Sequence, residues 1–185
     1  MRLILGLGNP GRRFEGTRHN VGFDVVRRVA RQQNKTLKKR LFRPYLWSGR
    51  GEMVLAMPLT YMNRSGVVVP DLIRATGASL DDLVVVCDNM DLDPGVVRIK
   101  RKGSSRAHNG LASIMDAVAT GEFTRLYVGI GRPVGKDGVV EYVLSAPPEA
   151  EGPLYERALD AAVVALVGLE TEPVESVMNR INRRA

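Results

Sequence analysis

The 185-residue chain carries 27 Lys and Arg against 20 Asp and Glu, a net charge of +7, and 44% of its residues are apolar. That apolar share excludes a disordered chain, and no apolar run nears the ~18 residues that cross a membrane. Cys87 is the single cysteine, so no internal disulfide can form. With a strand rather than a signal peptide at the start, a reducing cytoplasm is the expected location.

In chain order, Leu3-Ile4-Leu5 reads as a short buried strand. Gly6, Gly8 and Gly11 break the pattern, and Asn9-Pro10 forces a turn. Gly6 to Gly11 also satisfies G-x-G-x-x-G. A dinucleotide site, however, wants a helix from the third glycine and an acidic residue about 20 positions on. Arg12 to Gly16 is not apolar-periodic, and the stretch near Arg31 has no strand ahead of it. Val21, Val25, Val26 and Val29 predict a helix over 21–33, its other face carrying Arg27, Arg28 and Arg31. In residues 35–50, Pro44 argues against a long helix. Met53 to Met57 is a strand ended by Pro58. A helix through Leu72, Ile73 and Ala75 follows, with Pro70 in its first turn and Gly77 as its stop.

Leu83 to Cys87 is a continuous apolar run. It reads as a central strand covered on both faces and ending at Asp88. Val96 to Lys100 alternates as an edge strand does, and Lys102 to Ala107 is a polar loop. Helical pattern resumes from Asn109 to about Ala119, Leu126 to Ile130 is a strand, and residues 147–168 contain a further helix. There is no internal repeat and no linker. Strands alternating with helices predict an α/β sandwich around a mixed sheet, and the length suits one domain, residues 1–185.

A sequence pI of about 9.9 predicts a polyanionic partner, a generally basic soluble surface being the alternative. Val25 to Gly51 holds nine Lys or Arg and no acidic residue. No long amphipathic membrane helix stands out, so nucleic acid is the expected partner and no membrane is.

The candidate chemistry sits at strand ends. A neutral imidazole is the usual general base near pH 7, and both histidines, His19 and His108, fall in motif-like loops. His19 follows the glycine-rich strand end. Asp88 ends the most apolar strand, where an unpaired carboxylate would be costly. Pairing with an imidazole N–H would satisfy it and fix the tautomer, while a turn or capping duty is the alternative. Asn9, Asn63 and Asn109 stand in separate loops and offer both donor and acceptor, or else cap and turn. Two histidines and one cysteine do not build a structural zinc site. Cys87 lies inside an apolar strand, and Ser65 lacks a G-x-S-x-G context. Water activated by a base, with no metal, cofactor or covalent intermediate, is the chemistry favoured.

The blocks Leu5-Gly6-Leu7-Gly8-Asn9-Pro10-Gly11, Thr17-Arg18-His19-Asn20-Val21-Gly22, Met62-Asn63-Arg64-Ser65-Gly66, Asp88-Asn89-Met90-Asp91-Leu92, His108-Asn109-Gly110-Leu111 and Val128-Gly129-Ile130-Gly131-Arg132-Pro133 come in this order across most of the chain. Together they resemble the bacterial-type peptidyl-tRNA hydrolases. The resemblance implies a single-domain three-layer sandwich with a mixed twisted sheet. It also implies a hydrolase that cleaves the ester between a peptide and the 3′ end of tRNA, without a cofactor, as a monomer. It implies His19 as the base and Asp88 as its orienting partner. Asn9, Asn63 and Asn109, with Phe14 and Tyr61 in the same loops, would hold the peptide and the water. Lys100 resembles a basic residue that meets the tRNA backbone. Because Lys100, Arg101, Lys102 and Arg106 precede His108-Asn109 within one loop and strand end, they are expected to hold phosphates beside the scissile ester. Two departures stand out: Lys102-Gly103-Ser104-Ser105-Arg106-Ala107 replaces a glycine-rich loop, and Tyr127 stands where the family often has Arg. Arg101, Arg106 or Arg125 would then compensate. A non-catalytic RNA-binding relative and a nucleotide-cofactor enzyme are the rival readings.

Overall fold

Each apolar run becomes a strand whose side chains alternate between two cores, as the two-residue period of a strand requires. The computed structural model describes residues 1–105, 107–133 and 138–183. The strands are β1 (Arg2–Gly6), β2 (Lys38–Lys39), β3 (Tyr45–Trp47), β4 (Met53–Pro58), β5 (Leu83–Asn89), β6 (Val97–Lys100) and β7 (Thr124–Gly129). They form a seven-stranded sheet in the order β2-β3-β4-β1-β5-β7-β6. The four central strands, β4, β1, β5 and β7, run parallel. The outer strands β2, β3 and β6 are antiparallel to their neighbours. Residues 35–50 thus make a short hairpin around Pro44, and 97–100 the edge strand that the alternation predicts.

The helices are α1 (Val21–Gln32), α2 (Val69–Thr76), α3 (Asn109–Val118), α4 (Val139–Val143), α5 (Gly152–Gly168) and α6 (Val174–Asn182). Ile4, Leu55, Val84, Val86, Leu126 and Val128 point to one face and pack with α1, α5 and α6. Leu3, Leu5, Val54, Val85, Cys87 and Tyr127 point to the other, against α2, α3 and the 3-10 segment Met62–Val68. The result is the expected α/β sandwich with a mixed sheet. Pro70 does sit in the first turn of α2, and Gly77 ends that helix with a left-handed φ of 77°. The periodicity did not announce α4 or α6, which are short. No helix among the described residues is long and apolar enough to cross a membrane.

β1 lies between two strands that come later in the chain, β4 and β5, so a crevice opens at their carboxyl ends, where α/β folds place sites. The chain closes onto this crevice through glycine. A Cβ on Gly22 would lie 2.3 Å from the Val86 carbonyl oxygen and 2.5 Å from the Leu7 nitrogen. Only hydrogen fits there, so the start of α1 rests directly on the strand ends. The 3-10 turn Arg18–Asn20 just before it is thereby held at the tip of β5. Gly22→Ala forces backbone apart at that seat. It should lower stability by about 2 kcal/mol or more, read as a lower urea midpoint; an unchanged midpoint would show that the contact relaxes freely.

Candidate active site

The site grows from a carboxylate. Asp88 is the sixth residue of β5 and is 4% exposed. Its Oδ1 accepts hydrogen bonds from two imidazoles, His19 Nδ1 at 2.8 Å and His108 Nε2 at 3.1 Å. The two rings lie 5.1 Å apart, tilted by 44°. Burial alone would raise the Asp88 carboxyl. The charge and hydrogen bonds of His108 and then of His19 more than offset it and hold the group well below the usual carboxylate range. It is therefore ionised near neutrality and can only accept. His19 then carries its proton on Nδ1, and Nε2 is left with the lone pair. His108 occupies the position before α3, where its Nδ1 accepts from the backbone N–H of Gly110 and Leu111 at 3.1 and 3.2 Å. Its Nε2 must therefore hold the proton. The ligand atoms of His19, Asp88 and His108 lie within 4.8 Å of one another, close enough for a metal ion. Both nitrogens that face Asp88 are proton-bearing donors, however, and the three groups satisfy one another.

His19, Asp88, His108, Asn89, Asn109 and Tyr127 help line an open hollow, together with Val139, Val140 and Val143 of α4. Asn109 also lines a second groove with Asn63, between α3 and the 62–68 segment, so the two hollows meet at Asn109. Asn63 and Asn109 are exposed there. Asn9 is placed differently. Its Oδ1 accepts from the Met62 N–H at 2.8 Å, which leaves only its amide N–H groups for a ligand. Asn20 holds it there, accepting from the Asn9 N–H at 2.8 Å and donating to the Asn9 carbonyl at 2.9 Å. Phe14 and Tyr61 meet edge to face at 6.3 Å, with Arg13 4.5 Å over the Phe14 ring. They form an aromatic pair between the first and second loops and line neither hollow. Cys87 is buried, and burial, reinforced by the Asp88 charge, pushes its thiol well up; it is core, as its strand position predicts.

Sequence reasoning missed three residues. Asn20 was visible only as part of a motif. His108 was noted as a histidine, but its place before a helix start was the unused signal for a cap. Arg18 is buried beside His19. Its guanidinium donates to Ser145 Oγ and the Ala146 carbonyl, each at 2.9 Å, pairs with Glu151 at 3.2 Å, and lies 4.2 Å over the Tyr142 ring. It ties the turn that bears His19 to the segment around α4.

With this geometry in place, the comparisons are unambiguous. Residues 3–185 match the family model described as peptidyl-tRNA hydrolase. The peptidyl-tRNA hydrolase of Geobacillus kaustophilus is 42% identical, covering 98% of this chain and 100% of that one. That of Bacillus subtilis is 41% identical over the full length of both. A crystal structure of the peptidyl-tRNA hydrolase from Acinetobacter baumannii superposes with a TM-score of 0.91 at 36% identity, covering 98% of this chain and 94% of that one. The chain belongs to the peptidyl-tRNA hydrolase family.

For a peptidyl-tRNA hydrolase family member the basic residues matter, and their positions differ from the expectation. Lys100 opposes Arg125, whereas Asp88 opposes Val128. Three strand residues separate the two registers, about 10 Å, so Lys100 and Arg101 lie toward the amino edge of the sheet and not beside Asp88. The reason is strand direction: β6 runs antiparallel, so its end points away from the site. Arg101 pairs with Glu175 and with Asp81. Arg106 lies outside the described residues. Arg125 cannot compensate for a missing phosphate contact. It is fully buried, and its guanidinium donates to the carbonyls of Gly121, Phe123 and Gly103 at 2.6–2.8 Å. It thereby ties down the chain at Gly103. Tyr127 is 3% exposed and forms part of the hollow instead of facing solvent.

The depressed Asp88 carboxyl has a measurable consequence. Its stabilisation is fully present above the ordinary carboxylate value and is lost as pH falls through the lower folded value. In that window the unfolded chain binds the extra proton, so stability rises with pH. Asp88→Asn removes this uptake. Below about pH 4 the slope of unfolding free energy against pH should flatten by up to about 1.4 kcal/mol per pH unit, measured by urea titrations at several pH values. An unchanged acid slope would show that Asp88 does not carry the shift.

Proposed function

We propose that this chain hydrolyses the ester joining a peptide to the 3′ end of tRNA, freeing both. The observation that carries the reading is His19 Nδ1 on Asp88 at 2.8 Å at the mouth of a hollow, in a chain of this family. His19 Nε2 takes a proton from water, and the oxygen attacks the ester carbonyl. The imidazolium that forms faces the Asp88 carboxylate, which is already ionised and needs no rearrangement. The carbonyl becomes an oxyanion, and an Asn side-chain N–H is a suitable donor to it. Asn109 fits best, because it borders both hollows. The tetrahedral adduct collapses, the bond to the ribose oxygen breaks, and His19 returns the proton to that oxygen. Asn63 and the amide of Asn9 hold the peptide, with Phe14 and Tyr61 at its outer end. The reaction needs no metal or cofactor.

The same reading takes residues 1–185 as one domain, since both apolar layers pack on one sheet. It places the protein in the cytoplasm as a monomer, in keeping with a single buried cysteine. A non-catalytic RNA-binding relative would have no use for a base held at this distance from a buried carboxylate.

The test is hydrolysis of N-blocked aminoacyl-tRNA, with free aminoacyl-tRNA as comparator. His19→Ala should lower turnover at least ~10²-fold in a folded protein, and a charged amine on the substrate should be disfavoured against the neutral amide. Near-wild-type turnover in a folded His19→Ala protein would falsify the assignment of the base.

The RNA contact is proposed for Lys100, Lys102 and Arg106, with Arg101 joining where Asp81 and Glu175 release it. A tRNA arm is long enough to reach the amino edge while its 3′ end sits at Asp88. Each phosphate contact adds about one unit to the salt slope of binding. Lys100→Ala should raise KM for whole tRNA and flatten its salt dependence, yet leave cleavage of a short acylated 3′ oligonucleotide unchanged. If charge reversal at Lys38 and Lys39 weakens tRNA binding while Lys100→Ala behaves as wild type, the RNA lies on the other side of the sheet.

A further inference from the structure

The chain has two histidines, and both meet one oxygen of one buried carboxylate. The reaction above uses His19 alone. His108 has both ring nitrogens engaged: Nδ1 accepts from the Gly110 and Leu111 amides that open α3, and Nε2 donates to Asp88 Oδ1. A proton moved to Nδ1 would face two N–H donors, and Nε2 would then present a lone pair to an anion. The backbone of α3 therefore permits one tautomer. His19 has no such constraint of its own; its tautomer follows from where the Asp88 oxygen sits.

We propose that His108 is a positioning residue, locked as its Nε2–H tautomer by the first amides of α3, which fixes Asp88 Oδ1 and through it the orientation and tautomer of His19. The proposal rests on the reading of His19 as the base. Without His108 the carboxylate is free to turn about its own Cβ–Cγ bond, and the nitrogen that activates water moves with it. His108 also precedes Asn109 directly. The contact that orients the base thus sets the first residue of α3, which lines both hollows. Base and substrate-facing amide are placed by one side chain. Misplacing catalytic groups by about 1 Å can lower rates ~10²-fold, so such a link has kinetic weight although His108 touches no reacting atom.

The experiment reads the imidazole nitrogens of the 15N-labelled full chain by long-range 1H–15N correlation at a pH where both rings are neutral. With two histidines, assignment needs only His19→Ala and His108→Asn. The expected result is two opposite tautomers, His19 protonated at Nδ1 and His108 at Nε2. If His108 is protonated at Nδ1, or exchanges between tautomers, the proposal is overturned, whatever the substrate turns out to be. His108→Asn keeps a good N-cap for α3 but is too short to cap and reach Asp88 together. In this variant His19 should lose its single tautomer. Turnover of N-blocked aminoacyl-tRNA should fall on the order of 10- to 100-fold, with KM changed by less than about threefold. A purely structural role predicts otherwise: unchanged His19 signals, with turnover tracking thermal stability. That outcome also overturns the proposal. If the wild type fails to cleave the tRNA ester, the function falls, while the tautomer signals still decide the role of His108.

Discussion

A negative charge buried at the tip of β5 is the constraint on which the rest of this structure depends. An unpaired carboxylate there costs on the order of several kcal/mol. Asp88 escapes that cost because two N–H donors reach one of its oxygens. One donor is delivered by the turn before α1 and the other by the turn before α3, on opposite faces of the sheet. Neither helix can shift without exposing or orphaning the charge. The group that would orient the base is therefore also a clasp between the two outer layers.

Around that charge the strand-end loops are tied by side chain to backbone. Asn20 grips the backbone of Asn9, and Asn9 in turn holds Met62, which opens the loop after β4. Ser113 of α3 accepts from Gly66 of the same loop at 3.0 Å. Arg18 carries the chain of contacts to Ser145, Ala146 and Glu151. Loops joined this way are stiffer than their lack of regular structure suggests, since opening one strands polar groups in the next. This is how an irregular set of turns can hold groups to the sub-ångström tolerance that proton transfer demands.

How much of this was legible in the sequence follows from what each signal encodes. Apolar runs gave the central strands, because a buried parallel strand must be apolar on both faces. Glycine and proline gave the ends of α2. The His19–Asp88 pair was legible because a carboxylate ending such a strand needs a partner. Strand direction was not legible, since alternation in Val97–Lys100 is the same read either way. Nearness in sequence to His108-Asn109 put Lys100 beside the ester in expectation, and the antiparallel run of β6 puts it toward the far edge. Arg125 illustrates a second limit. Three carbonyls within 2.6–2.8 Å make it a buried tie, but carbonyls from the backbone leave no mark in a sequence. The Asn9 amide is a third case. A motif marks the residue, yet only the Met62 contact tells that its oxygen is already taken.

The charge count hides a distinction that decides where RNA can act. Asp71 faces Arg40, Arg43 and Arg74 at 3.0–3.3 Å and accepts the Tyr45 hydroxyl at 2.7 Å. With its carboxylate only 14% exposed, this cluster binds the β2–β3 hairpin to α2, and Arg40 and Arg43 cannot leave for a phosphate without loosening that contact. Arg101 is in the opposite situation. Its partners Asp81 and Glu175 are 85% and 53% exposed, and exposed pairs contribute little to stability. A phosphate can replace either one at small cost. The basic run that looks strongest in the sequence is thus partly committed to the fold, whereas the modest one near β6 holds positive charge that can change partners. Exchangeable charge, more than total charge, sets counterion release on binding. That criterion is the physical argument for the RNA contact proposed on the β6 side of the sheet.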